Sequence, residues 1–185
     1  MRVWDLETGM SRGEFSLGGN DDLMTATVFE HRGKTLIVYG SGDRTLRVWD
    51  LECGALRGLP LSGHKASISA VTVGQHSGQS LIVSAGEDHT LRVWDLESGT
   101  LCGEPLRGLD SSVLAVAVAE YMGKFLIVSG GEDCALRVWD LESRTLLGEP
   151  LRGHEAAVHA IALTQRQGQT LIVSGSDDKT VGVWY

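Results

Sequence analysis

Apolar positions along this chain come in short runs with a period of two, as in Ile68-Ser69-Ala70-Val71-Thr72-Val73. Runs of four to seven apolar or β-branched residues recur at spacings of about 8 to 12 residues, bounded by Gly, Ser and Asp. That pattern writes strands and leaves no room for helices. The stretch from Leu46 predicts strands over residues 46–50, 56–61, 68–73 and 80–84. A turn at 52–54, a loop at Gly63-His64 and a turn at Gly78 separate them.

The strands belong to a repeat. Trp4, Trp49, Trp94, Trp139 and Trp184 stand 45 residues apart with no insertion between any two. The chain divides into residues 1–45, 46–90, 91–135 and 136–180, with 181–185 opening a fifth unit. Each unit starts with Met or Leu followed by Arg-Val-Trp-Asp, and each ends in Leu-Ile-Val before a turn containing Asp43, Asp88, Asp133 or Asp178. Four strands cannot bury both their faces alone, so successive units must stack, radially or linearly, within one domain over 1–185.

Composition narrows the function classes. A chain of 185 residues buries roughly 70% of its unfolded surface, enough for one self-sufficient core. With 42% apolar and 22% charged residues it is not disordered, and 24 glycines against 3 prolines imply many tight turns. The net charge of -8 leaves no field to draw in nucleic acid or an anionic membrane surface. No apolar run approaches the roughly 20 residues of a membrane helix, and the N-terminus lacks a signal-peptide layout, so a cytosolic protein is expected. Cys53, Cys102 and Cys134 form neither an even set nor a CxxC pair, which suits a reducing compartment and writes no zinc site.

The Arg-Val-Trp-Asp strands, the pairs Gly63-His64 and Gly153-His154, and the 45-residue period together resemble the WD-repeat β-propellers. The resemblance spans the whole chain. It implies an all-β fold, a β-propeller of four 45-residue repeats with four antiparallel strands each. Residues 1–18 would give the outer two strands of one blade, three complete blades would follow, and 154–185 would give the inner three strands of another. Such propellers have four to eight blades, so the chain is a partial propeller, a four-blade ring or half of an eight-blade assembly. Open strand edges invite pairing, and a homodimer or a place in a longer array would cover them.

His64, Ser84 and Asp88, and likewise His154, Ser174 and Asp178, mimic a hydrolase triad. The resemblance implies instead that they join Trp94 and Trp184 in two buried hydrogen-bonded tetrads that specify blade geometry. No G-x-S-x-G elbow or oxyanion device accompanies them, so no catalytic residue is expected. The other two repeats depart from the pattern, with Gly19 and Tyr39 in the His and Ser columns of one and Leu109 in the His column of the other. Only two tetrads are expected, and the blades around Asp43 and Asp133 are expected to be the less stable.

Gly33-Lys34-Thr35 looks like the end of a phosphate-binding loop, but Val28 stands where that loop needs its first glycine. The column repeats as Gly78-Gln79, Gly123-Lys124 and Gly168-Gln169, which predicts a tight turn. Each acidic turn, such as Gly86-Glu87-Asp88, offers only two carboxylates, too few for calcium; no metal or cofactor is expected. Arg2, Arg47, Arg92 and Arg137 recur in one register and read as scaffold, neutralised by Asp5, Asp50, Asp95, Asp140 and the following glutamates.

A scaffold that repeats its frame places specificity in the columns that vary. Those columns are Ser67, Ser112 and Ala157; Ser69, Leu114 and His159; and Glu87, Glu132 and Asp177. The resemblance sets them around the central channel opening, and their acidic, small and partly apolar character suits a basic or amphipathic peptide. The expected function is a noncatalytic protein-interaction scaffold. The alternative is a regulatory or sensor segment of a larger signalling enzyme, a kinase or switch ATPase, whose catalytic domain lies elsewhere.

Overall fold

Three hairpins turn on two successive left-handed residues, Arg32-Gly33, Ser77-Gly78 and Met122-Gly123. This geometry matches the twist of the strands it joins, and glycine at the second position takes the positive φ without a Cβ penalty. In the computed structural model, which describes residues 2–4, 7–14, 22–166 and 169–185, the hairpins connect β3 (Leu23–His31) to β4 (Lys34–Ser41), β8 (Ile68–His76) to β9 (Gln79–Gly86), and β11 (Val113–Tyr121) to β12 (Lys124–Gly131). A fourth pair, β16 (Val158–Arg166) and β17 (Gln169–Ser176), flanks Gly168, which is outside the described residues.

A second turn leads into the tryptophan strand: β5 (Thr45–Asp50), β10 (Leu91–Asp95), β13 (Ala135–Asp140) and β18 (Val181–Trp184). Here an aspartate carboxylate accepts from the amide two residues on: the Thr45 N–H donates to Asp43 at 3.0 Å and the Thr180 N–H to Asp178 at 2.8 Å. The intervening residues, Arg44, His89, Cys134 and Lys179, are left-handed. The aspartate side chain thus stands in for a backbone partner while the chain reverses.

Each trio is one antiparallel sheet, a propeller blade, and we number these blades 1 to 4. β8 and β9 run three and two residues past the sequence prediction, and β5 matches it to within one residue. The outermost strand departs further from it. In blade 1 it is two fragments, β6 (Ala55–Leu56) and β7 (Leu61–Ser62), and in blade 3 β14 (Thr145–Leu146) and β15 (Leu151–Arg152); in blade 2 it is reduced to the bridges Leu91 to Leu106 and Trp94 to Leu101. The cause is in the sequence: Gly58, Gly103 and Gly148 take positive φ, and a proline without an amide follows two residues later at 60, 105 and 150. β1 (Arg2–Trp4) and β2 (Ser11–Glu14) pair with each other as a separate two-stranded sheet.

The core lies in the seams between blades. Leu36, Val38, Leu46 and Val48 of blade 1 pack on Ile68, Ile82 and Trp94 of blade 2. Leu81, Val83, Leu91 and Val93 of blade 2 pack on Val113, Ile127 and Trp139 of blade 3. Burying each such side chain contributes about 1.5–3 kcal/mol. The two faces of this repeated interface are left uncovered at the ends of the arc. Ile68, Val113 and Val158 are at most 1% exposed, yet Leu23 in the same column is 47% exposed; Leu46, Leu91 and Leu136 are fully buried, yet Val181 is 70% exposed.

Candidate functional site

The most reactive-looking side chains meet in blade 2. The Trp94 indole N–H donates to Ser84 Oγ at 2.9 Å, and Ser84 Oγ stands 2.8 Å from His64 Nε2. His64 Nδ1 lies 3.0 Å from both carboxylate oxygens of Asp88. An indole can only donate and a carboxylate can only accept, so the protons run one way: Trp94 to Ser84, Ser84 to Nε2, Nδ1–H to Asp88. The imidazole is neutral in this chain. Burial drives its pKa below the ordinary value, Asp88 offsets part of that, and the Arg92 charge adds to it. Burial alone would raise the Asp88 carboxyl, but the Lys65 amide, the Thr90 hydroxyl and His64 hold it below the usual range.

Blade 4 repeats the arrangement. Trp184 donates to Ser174 at 2.9 Å, His154 Nε2 stands 2.7 Å from Ser174 Oγ, and His154 Nδ1 stands 2.8 Å from Asp178 Oδ2. The Thr180 hydroxyl, 2.6 Å from Asp178 Oδ1, is the chief reason that the Asp178 carboxyl lies well below the usual range. In blade 3 only part of the chain remains. Trp139 donates to Ser129 at 3.0 Å, but Leu109 offers no imidazole. Gly19, in the corresponding column of blade 1, lies outside the described residues.

The freed aspartates find arginine. Arg47 bonds Asp43 at 2.7 Å and Arg137 bonds Asp133 at 2.5 Å, where the sequence reading neutralised these arginines with the aspartates after each tryptophan. Residues three apart on a strand point to opposite faces, so Arg47 and Asp50 cannot meet. Asp50 and Asp140 bond Lys34 and Lys124 at 2.8 and 2.7 Å instead, and Asp95 accepts the Ser98 amide at 2.7 Å. Asp5 lies outside the described residues. Arg92 is the exception: His64 holds Asp88, and the buried Nε of Arg92 has no acceptor among the described residues.

The variable columns sit together in a repeated loop frame. The amides of Glu87, Glu132 and Asp177 donate to the carbonyls of Ser67, Ser112 and Ala157 at 3.0, 3.1 and 3.0 Å. The three acidic side chains are exposed. Ser69, Leu114 and His159 line a central cleft of about 270 Å³ together with Thr25, one innermost strand from each blade. His159 pairs with Asp177 at 2.9 Å. The Ser69 hydroxyl is engaged by the carbonyls of Ala85 and Val113, tying blade 2 to blade 3.

Sequence reasoning missed the polar pin of the first seam. His31 bonds Ser80 at 2.9 Å and Glu97 at 3.0 Å, and Arg57 bonds Glu97 at 2.8 Å. The His31 hydrogen bond is the first cause of a depressed Glu97 carboxyl. The signal was present, since His31 and His76 share a column, but nothing in one sequence says that this column faces the next blade.

Comparison with known proteins agrees with this geometry. The chain matches the family described as WD domain, G-beta repeat over residues 14–50, 57–95, 102–140 and 144–185. It resembles the crystal structure of the computationally designed Ika4 protein with a TM-score of 0.75 and 29% identity, over 95% of this chain and 99% of that chain. No curated protein matches.

Proposed function

The chain belongs to the WD domain, G-beta repeat family, and from that premise we propose that it is a noncatalytic scaffold whose acidic loop face docks a basic or amphipathic peptide. Repeats of this family generally mediate protein–protein interaction. The observation that carries the reading is the three-fold recurrence of an exposed acidic residue, Glu87, Glu132 and Asp177, in loops whose backbone is held by that residue's own amide. Charges of one sign repeated around one face steer and orient an oppositely charged partner. A pool of basic, acidic and neutral peptides tests it: the basic members bind and added salt weakens them, and equal recovery of all three classes contradicts the proposal.

The triad-like residues support the noncatalytic reading. Ser84 and Ser174 are at most 1% exposed, and each oxygen already accepts an indole N–H while facing its histidine. A nucleophile needs an accessible lone pair. The free thiols of Cys53, Cys102 and Cys134 fit a cytosolic setting. Among the described residues no helix is long and apolar enough to cross a membrane.

The partners include a second copy of the chain. Leu23 and Val181 are the two uncovered halves of an interface that the molecule already forms between its own blades, where Leu46 packs with Ile68. A copy presenting its Leu23 face to the Val181 face continues that interface, and two copies close an eight-blade ring by a two-fold axis.

A further inference from the structure

The turn that follows a tryptophan strand meets the outer strand of the preceding blade, and the first two seams differ in what that turn carries. Between blades 2 and 3 it carries Arg144, whose Nη1 donates to the Cys102 carbonyl at 2.9 Å and whose Nη2 donates to the Glu104 carbonyl. The guanidinium lies against Gly103, where a Cβ would meet Nη1 at 2.9 Å and Cζ at 3.1 Å. Gly103 is thus the seat of a guanidinium group. Between blades 1 and 2 the column of Arg144 holds Gly99. The frame is otherwise the same: φ is 68° at Gly99 and 58° at Arg144, and 76° at Gly58 and 70° at Gly103. Yet a Cβ on Gly58 would meet nothing within 4 Å.

A cleft of about 340 Å³ opens in that place, lined by Arg57, Gly58, Leu59, Glu97, Ser98 and Gly99 among others. The carbonyls of Arg57 and Leu59, counterparts of the two that hold Arg144, meet no donor among the described residues. The charges around the cleft cancel. Arg57 and Arg32 both bond Glu97, at 2.8 and 3.2 Å, and Asp95 supplies the second negative charge. Asp95 has no cation of its own, because Gln79 stands in the column where Lys34 and Lys124 neutralise Asp50 and Asp140. At the mouth Leu59 is 86% exposed, where the next two repeats carry Glu104 and Glu149.

We propose that the cleft between blades 1 and 2 binds the guanidinium group of an arginine in a partner polypeptide, seated on Gly58 as Arg144 is seated on Gly103 and donating to the Arg57 and Leu59 carbonyls. Two carbonyls set to receive a planar fork select arginine over lysine, whose ammonium is a point charge. The exposed Leu59 side chain selects an arginine within a chain, because an apolar neighbour of that arginine covers it and free arginine brings none. The site lies at the opposite end of β10 from the acidic turn of Glu87 and does not rest on what docks there.

Amide chemical-shift titration of the intact chain tests it, with acetyl-Leu-Arg-Leu-amide as the probe and acetyl-Leu-Lys-Leu-amide and free arginine as its counterparts. The arginine peptide shifts the Gly58 and Gly99 amides saturably, and lysine in its place weakens binding about fivefold, the worth of one net hydrogen bond. Gly99→Arg, which copies residue 144, fills the cleft from within and abolishes the response of Gly58. Arg144→Gly opens a second seat, so that the Gly103 amide responds as Gly58 does. No saturable response at Gly58 and Gly99 in the intact chain, or an unchanged response of Gly58 in Gly99→Arg, overturns the site; should that variant not fold, a silent Gly103 in Arg144→Gly overturns it. A lysine peptide bound as tightly as the arginine peptide overturns the guanidinium, and free arginine bound as tightly overturns the polypeptide as its source.

Discussion

Arg47 donates from Nη2 to Asp43 Oδ2 at 2.7 Å, across the same four-residue interval at which Arg92 stands from Asp88 without an ion pair between them. The difference is His64, which takes the Asp88 carboxylate for itself. One turn aspartate thus has two alternative keepers, an imidazole in blades 2 and 4 and a guanidinium in blades 1 and 3. A repeat that loses its histidine keeps its turn.

The two buried arginines therefore respond differently to removal of charge. Arg137→Met strands the Asp133 carboxylate, whose side chain is 18% exposed, and should cost about 3 kcal/mol. Arg92→Met removes a buried cation that has no carboxylate partner among the described residues and should lie within about 1 kcal/mol of the parent chain, or above it. Urea unfolding midpoints of the two variants check this.

Stability should fall as the pH drops through the histidine range. An unfolded imidazole takes its proton near pH 6.5, whereas the His64 pKa is lowered in the folded chain. Below about pH 6.5 the unfolded state binds the extra proton, so unfolding becomes easier by up to about 1.4 kcal/mol per pH unit until the folded imidazole also titrates. The depressed Asp88 carboxyl adds a further loss below about pH 4, where unfolded aspartates protonate. His64→Leu, which copies the residue at 109, should cost about 2 kcal/mol at pH 7.5 and show a shallower decline to pH 5.5. Denaturation curves at the two pH values decide it; an equal decline in both chains places the titrating group elsewhere.

Assembly is tested by light scattering on a sizing column. The intact chain should run at two chain masses, and either Val181→Asp or Leu23→Asp should reduce it to one. Both positions are exposed in a single chain, so neither change disturbs its core. Mixing the two variants restores one intact interface, because the Val181 face of one meets the Leu23 face of the other, and a two-chain species should return. A single-chain mass for the parent, or no recovery on mixing, contradicts the two-copy ring.

Much of this is legible in the sequence alone. Tryptophans in one phase gave the blade period, the Gly33 and Gly78 columns gave the hairpins, and the His64, Ser84 and Asp88 spacing gave the polar chain. The broken outer strand was also written, in Gly58 and Pro60, but a run of leucines around them reads as continuous. What could not be read was every relationship across a seam. The pin from His31 to Glu97 and the uncovered Leu23 each depend on which columns of adjacent blades face one another. Strand alternation fixes a side chain's face, not its neighbour on the next sheet.

The central claim is that a constant frame presents variable, acidic loop columns to a basic partner. It is tested most directly by measuring the peptide-pool selectivity of the intact chain beside Glu87→Lys/Glu132→Lys. Both side chains are exposed and their backbone amides hold the loops, so the double variant should fold unchanged. The account predicts that the preference inverts from basic to acidic peptides. Selectivity identical to that of the parent chain would contradict it.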